Sequence, residues 1–291
     1  MQSKAAEICA VCGARGPDVI QERARIGSNV RAFRGAAFEV WRCRQCLSIH
    51  AAKEVDLAYY YARYPFFAVP DDWRLRVLYD NQLRRLRRAG IGPDHRILDY
   101  GCGGGAFVRH LRLRGFRHAV GFDQYSPAFA DASVLEARYD CVISQDVLEH
   151  VESPRAFLDH LGELAVPGGI IALGTPNAEA IQIDGPAHHV HALHAPYHRH
   201  IFGKRALFSA GEERGWRLER YYPTQYANTR IPFLNSRFYL HYMRCCDASI
   251  DCLMEAPRAA PLLARLPATL FWGLFGFFLP EETDVMVIFR R

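Results

Sequence analysis

The middle of the chain switches repeatedly between short apolar runs and helically spaced apolar positions. Ile97-Leu98 reads as a buried strand. It breaks at Gly101-Cys102-Gly103-Gly104-Gly105 and continues as a helix from Phe107 to Arg114, closed by Gly115. Ala119-Val120-Gly121-Phe122 is a second strand, Asp140 to Ser144 another, and Pro154 to Leu164 the helix after it. Pro167-Gly168-Gly169 turns into the strand Ile170-Ile171-Ala172-Leu173. The helix Lys204 to Arg214 ends at Gly215, and Trp216 to Tyr222 is a further strand. Asp284 to Arg290 reads as a closing strand. Upstream, Trp73 to Ala89 carries Leu75, Leu78, Leu83 and Leu86 near one helical face, arginines on the others, and Gly90 as its cap. Strands alternating with helices predict an α/β fold with a mainly parallel sheet.

Composition changes this picture only at the ends. The 291 residues allow one full α/β domain plus small additions, and half of them are hydrophobic, as in a globular chain. A net charge of +5 designates no class of partner. Nine cysteines include Cys9-Ala10-Val11-Cys12 and Cys43-Arg44-Gln45-Cys46. Each C-x-x-C turn aims two sulfurs at one point, and four thiolates make a structural zinc site. Four buried or redox-active thiols are the other reading, and Leu47 stands where a glycine is expected after the second pair. The scattered cysteines and the absence of a targeting pattern after Met1 predict reduced thiols and a cytoplasmic location. The expected organisation is a zinc-ribbon-like segment over 1–56, a main domain over 57–225 plus 283–291, and a helical insertion over 226–282.

The glycine turn is the candidate binding loop. Asp99 lies two residues before Gly101, and Asp123 ends the next strand, where a carboxylate can take ribose hydroxyls. Gly101-x-Gly103-x-x-Ala106 also satisfies a dinucleotide fingerprint. An acid at position 99 sits badly beside a pyrophosphate and suits an ammonium and a sulfonium. With Tyr139 to Ser144, Leu148-Glu149-His150-Val151, Pro167-Gly168-Gly169 and Gly174-Thr175-Pro176-Asn177, the sequence resembles the class I S-adenosylmethionine-dependent methyltransferases over roughly 75–225 and the last strand. The resemblance implies a Rossmann-like sheet of seven strands in the order 3-2-1-4-5-7-6, the last antiparallel. It implies S-adenosylmethionine held by Asp99, Gly101, Gly103 and Gly105 at the amino-acid part and by Asp123 at the ribose. Asp131 is expected at the adenine amino group, and Gln145 beside the adenine or methionine. Only Gln124 to Arg138 are available where the family has a helix and a strand, so Phe129 to Ser133 is read as a stub of the third strand.

A histidine-rich loop (His188, His189, His191, His194, His198, His200) follows the fifth strand at its ligand-binding end, making His194, His198 and His200 the candidate bases. Asp146-Val147-Leu148-Glu149-His150 puts three ligand-type side chains at i, i+3 and i+4. The pattern is similar to a motif of ubiquinone-pathway O-methyltransferases and small-RNA 2′-O-methyltransferases. That implies a second, divalent metal on Asp146, Glu149 and His150, with His200 as fourth ligand. A His150 that only packs under the cofactor is the alternative.

The expected reaction is O- or C-methylation of a small acceptor of sugar, natural-product or lipid type. RNA methylation, argued from the arginine helix and ribbon, and a non-catalytic ligand-binding or assembly module are the other readings. The expected partner is a small-molecule acceptor rather than a nucleic acid. Aromatic residues 56–72 are read as packing, with a pocket wall as the alternative. The run 268–280 is too short and too broken by Gly and Pro to span a bilayer. It is expected in the core or at a homodimer contact, with a lid or a membrane-surface contact as secondary readings.

Overall fold

The computed structural model describes residues 7–63, 72–185 and 189–291. Three strands, β1 (Ile20–Gly27), β2 (Ala37–Cys43) and β3 (Ile49–Ala51), form an antiparallel meander near the N-terminus. Ile26, Val40 and Ile49 project from it and bury themselves among Ile181, Ile183, Leu193 and Ile201. The meander is thereby welded to the main domain by apolar burial rather than hung from a linker.

After α1 (Leu57–Tyr61), helix α2 (Trp73–Arg88) starts at Asp72, whose carboxylate accepts from the backbone amides of Arg74 and Leu75. That cap is worth about 1 kcal/mol. Leu83 and Leu86 are buried beside Phe107, Leu111 and Phe116. The arginine face is less exposed than the sequence implies. Arg85 is buried, donates to the carbonyls of Thr224 and Gln225, and lies 4.6 Å from the Tyr222 ring centre. Arg74 is paired with Asp72.

The main sheet is built from β4 (Ile97–Tyr100), β5 (Ala119–Phe122), β6 (Tyr139–Gln145), β7 (Ala165–Pro176), β9 (Arg217–Tyr222) and β10 (Asp284–Arg290), in the order β5-β4-β6-β7-β10-β9. Helices α3 (Ala106–Leu113), α4 (Pro154–Leu164) and α6 (Lys204–Glu212) lie among these strands in sequence, with the short α5 (Val190–Leu193) after β7. The first four strands are parallel, and β10 runs antiparallel to both its neighbours. This is the expected order with one strand fewer. The segment 129–133, read as a third-strand stub, is instead a turn and loop that runs into a 3-10 helix, Ala132–Glu136, started by Asp131, whose side chain accepts from Ser133 N. A crossover to a further parallel strand needs a dozen or more residues, and the stretch between β5 and β6 is too short for a helix and a strand together. Phe129 packs its ring over Gly105 instead.

Strand β8 (His200–Ile201) leaves the main sheet and pairs with β3, so the meander gains a fourth strand from the main domain. Between β9 and β10 come α7 (Ser236–Cys245), α8 (Ala260–Leu263) and α9 (Leu266–Phe275), the helical insertion the sequence suggests. No helix among the described residues is long and apolar enough to cross a membrane.

Candidate functional site

The β4–α3 loop needs glycine for stated reasons. Gly101 has φ +81°, and a Cβ there would stand 2.2 Å from a Val147 methyl; at Gly105 (φ +71°) it would meet the Phe129 ring at 2.0 Å. Asp123 fastens the loop: one carboxylate oxygen accepts from Gly103 N at 2.8 Å, the other from Tyr125 N at 2.8 Å. Tyr100, Gly101, Gly103, Asp123, Val147 and Phe157 line one side of a cavity of about 1170 Å³. Asp131 is exposed and does not line it, a correction that follows from the missing strand.

A small pocket of about 110 Å³ lies behind the loop, lined by Asp99, Gln145, Asp146 and Tyr226 among others. Burial, and secondarily Asp123, push the Asp99 carboxyl up to about 7. Burial and Asp284 do the same to Asp146, also to about 7. Asp146 adopts φ +55° and accepts from the Gln145 side chain at 2.9 Å and from Gln225 at 3.3 Å. Gln145 is thus within the site, held by its neighbour. Two buried acids at the loop fit a ligand carrying positive charge, and they oppose a pyrophosphate.

Four residues beyond the end of β6, Glu149 is fully buried. Its Oε2 accepts from the Thr175 hydroxyl at 3.0 Å. Its Oε1 has no hydrogen bond and lies 3.8 Å from His198 Nε2. His198 Nδ1 donates to the Ala192 carbonyl at 2.8 Å, which leaves Nε2 with its lone pair toward Glu149. Glu149, His150 and His198 offer ligand atoms all within 4.8 Å of one another. Burial raises the Glu149 carboxyl well above its usual range and holds His150 well below its own, while His198 is pushed down to about 4. All three residues line the cavity, as does His194, whose Nδ1 meets Asn29 Oδ1 at 2.6 Å.

Two expected ligands stand elsewhere. His200 does not join Glu149 and His150: β8 pairing turns its ring to the meander, Nδ1 3.0 Å from His50 Nδ1. Asp146 is held by the two glutamines and is not part of the three-residue cluster. His188 lies outside the described residues. Tyr61, from the aromatic stretch read as packing, lines the cavity and places its hydroxyl 3.0 Å from His150 Nδ1. Tyr64, Pro65, Phe66 and Phe67 lie outside the described residues.

The four ribbon cysteines cluster as the spacing predicts. Cys9 and Cys46 sulfurs are 3.5 Å apart, and those of Cys12 and Cys43 are 3.8 Å apart. A tetrahedral zinc with bonds of about 2.3 Å has sulfur–sulfur edges of about 3.8 Å, so the cage fits that ion. Leu47 has φ 59°, the left-handed conformation glycine would take there at no cost; for leucine it costs on the order of 1 kcal/mol or more.

Residues 72–221 match the family described as a methyltransferase domain. This chain belongs to that family. Curated relatives include ubiquinone biosynthesis O-methyltransferases. The one of Caulobacter sp. (strain K31) is 31% identical over 129 residues, covering 36% of this chain and 51% of that protein. The one of Aeromonas salmonicida is 33% identical over 104 residues, covering 28% and 43%. The chain spans about half the length of these relatives, or less. Among solved structures, an S-adenosylmethionine-dependent methyltransferase from Mesorhizobium loti is similar at 17% identity and TM-score 0.43, over 72% of this chain and 98% of that one.

In this member of the methyltransferase-domain family, one contact beside the candidate site had no sequence signal. His50, a lone histidine on β3, sets Nε2 3.2 Å from the Cys9 sulfur and Nδ1 against His200. The amides of Arg199 and His200 in turn donate to the Glu149 carbonyl, at 2.7 and 3.1 Å. The cysteine cage is therefore two side chains and one backbone step from the buried acid. The pairing of β3 with β8 makes this link.

Proposed function

We propose that this chain transfers the methyl group of S-adenosylmethionine to an oxygen of a small acceptor. The family membership and the loop with its two buried acids support the donor. Bound there, S-adenosylmethionine supplies an electrophilic methyl on a sulfonium, open to in-line displacement. Asp123 would take the ribose hydroxyls and Asp99 would face the charged amino-acid end, with the glycines allowing close approach. Most of the acceleration then comes from positioning.

The observation that carries the acceptor side is the unbonded Glu149 Oε1 facing His198 Nε2. A buried carboxylate oxygen with no hydrogen bond is costly, and a divalent cation on Glu149, His150 and His198 would satisfy it. Such an ion would lower the pKa of an acceptor hydroxyl. Without an ion the same geometry makes His198 a general base, its Nδ1 proton already held by the Ala192 carbonyl. The ribbon would carry a structural zinc.

Calorimetry should show binding of S-adenosylmethionine and none of NAD; the reverse would overturn the donor assignment. Manganese titration followed by electron paramagnetic resonance should find one site in the zinc-loaded protein, lost in Glu149→Gln and weakened at least about tenfold in His198→Ala. Unchanged manganese affinity in both variants would leave His198, or His194, as plain base.

A further inference from the structure

Three cavity-lining residues from separate parts of the chain form a continuous line between the two halves of the site. Tyr61, the last residue of α1, sets its hydroxyl 3.0 Å from His150 Nδ1. Its ring lies beside that of Tyr125, with centroids 5.1 Å apart and an angle of 16° between the planes. Tyr125 in turn donates its backbone amide to Asp123, the same carboxylate that holds Gly103. The contacts therefore run from the cofactor loop through two aromatic rings to the acceptor-side cluster. Tyr61 is itself held from behind. The Tyr60 carbonyl accepts from the Tyr197 hydroxyl at 3.0 Å, the Tyr60 ring meets Phe33 edge-on at 4.7 Å, and Tyr197 meets the Tyr61 ring edge-on at 5.3 Å. Tyr125 is, by contrast, 54% exposed, which makes its ring the movable end of the line.

We propose that Tyr61 is a positioning residue for the methyl transfer, through which a ribose bound on Asp123 sets the orientation of His150. The inference rests on the S-adenosylmethionine reading of the cofactor loop. A ribose donating its hydroxyls to Asp123 would lie beside the residue two positions on, and there it restricts the exposed ring of Tyr125. Offset-stacked rings pass that restriction on, because each limits the rotation of the other. The Tyr61 hydroxyl then carries it to the imidazole. A hydrogen bond at Nδ1 fixes both the facing of the His150 ring and its tautomer, and so decides whether Nε2 presents a proton or a lone pair. Ordering of one site by occupation of the other is a coupling free energy, and it is reciprocal. The gain for the reaction is that the acceptor-side groups take their working geometry when a donor is present. Packing alone would be served equally well by phenylalanine at position 61. The placement of a hydroxyl on Nδ1 is what packing does not require.

The test uses the full zinc-loaded chain with nitrogen-15-labelled histidine, followed by nuclear magnetic resonance, and S-adenosylhomocysteine as the probe. The ring signals of His150 are assigned by their loss in His150→Gln. Saturating the wild type with the probe should shift them. In Tyr61→Phe, which keeps the ring and removes the hydroxyl, that shift should be lost. Calorimetric affinity for the probe should stay within about threefold there, since the hydroxyl bonds His150 and not Asp123. Tyr125→Leu should lose the shift as well, with the Tyr61 hydroxyl intact. The ring signals of His50, beside the cysteine cage, should be the same in all the probe-free proteins and check that each is folded. A shift that survives in Tyr61→Phe would overturn the proposal, because packing or direct contact with the probe then accounts for it. So would a wild type that binds the probe with no response at His150, or a Tyr125→Leu variant that responds in full. A wild type that does not bind the probe at all would overturn the S-adenosylmethionine reading first, and the coupling with it.

Discussion

Asp99 and Asp123 end neighbouring strands yet stand in different states. Asp123 is held as an acceptor by two backbone amides, whereas Asp99 is buried beside it with its carboxyl pushed up to about 7. A cation brought to Asp99 favours the ionised form and lowers that value again. Binding of S-adenosylmethionine near pH 7 should therefore release protons, and affinity should fall as the pH is lowered below 7. Calorimetry in buffers of different ionisation enthalpy reads this release directly, and Asp99→Asn should abolish it. Release that survives there but vanishes in Asp146→Asn would transfer the role to Asp146, whose carboxyl is raised equally. For Asp123→Ala we expect a loss of about 1.5–3 kcal/mol of cofactor affinity, the cost of charge-assisted hydrogen bonds. Asp131→Ala should change it by less than about 0.5 kcal/mol, as surface substitutions do. Equal, negligible effects from both would place the ligand elsewhere.

At the scale of elements, the two-residue strand β8 has consequences out of proportion to its length. It carries His200 to His50 and, through the amides of Arg199 and His200, anchors the carbonyl of Glu149. The histidine loop is thus braced by the ribbon, not only by the sheet it follows. Purified protein should contain about one zinc per chain, held by Cys9, Cys12, Cys43 and Cys46. Chelation under reducing conditions should leave S-adenosylmethionine affinity within about twofold, because the cofactor loop is built on β4 and β5 and shares no strand with the ribbon. Hydrogen exchange should, however, accelerate at Arg199 and His200 as well as in β1–β3. His50→Ala should keep the zinc and reproduce the faster exchange at those two amides. Protection there that is unchanged in both cases would show that the brace carries no load.

For the whole molecule, what the sequence by itself determined was whatever neighbours along the chain decide. Glycines two residues apart after an apolar run made the binding loop visible, because only glycine tolerates positive φ beside Val147 and Phe129. The paired C-x-x-C turns announced the cage, since each sets two sulfurs by local geometry. Apolar periodicity marked the helix α2 and the alternation of strands and helices, the sheet order was only what the family resemblance implied, and the short span after Asp123 already signalled that the family's third strand was in difficulty. The tertiary structure decided the rest through contacts between residues far apart in the chain. Glu149 and His150 were legible as a pair, but the choice of His198 over His200 as their partner depends on which way a loop enters β8. Arg85 reads as surface from its helix and becomes buried because the carbonyls of Thr224 and Gln225 happen to receive it. His50 had no distinguishing neighbours at all; strand pairing put it between the cysteine cage and the histidine loop. Periodicity and turn chemistry act within a few residues, whereas burial and strand register are properties of the assembled sheet, and no local pattern encodes them.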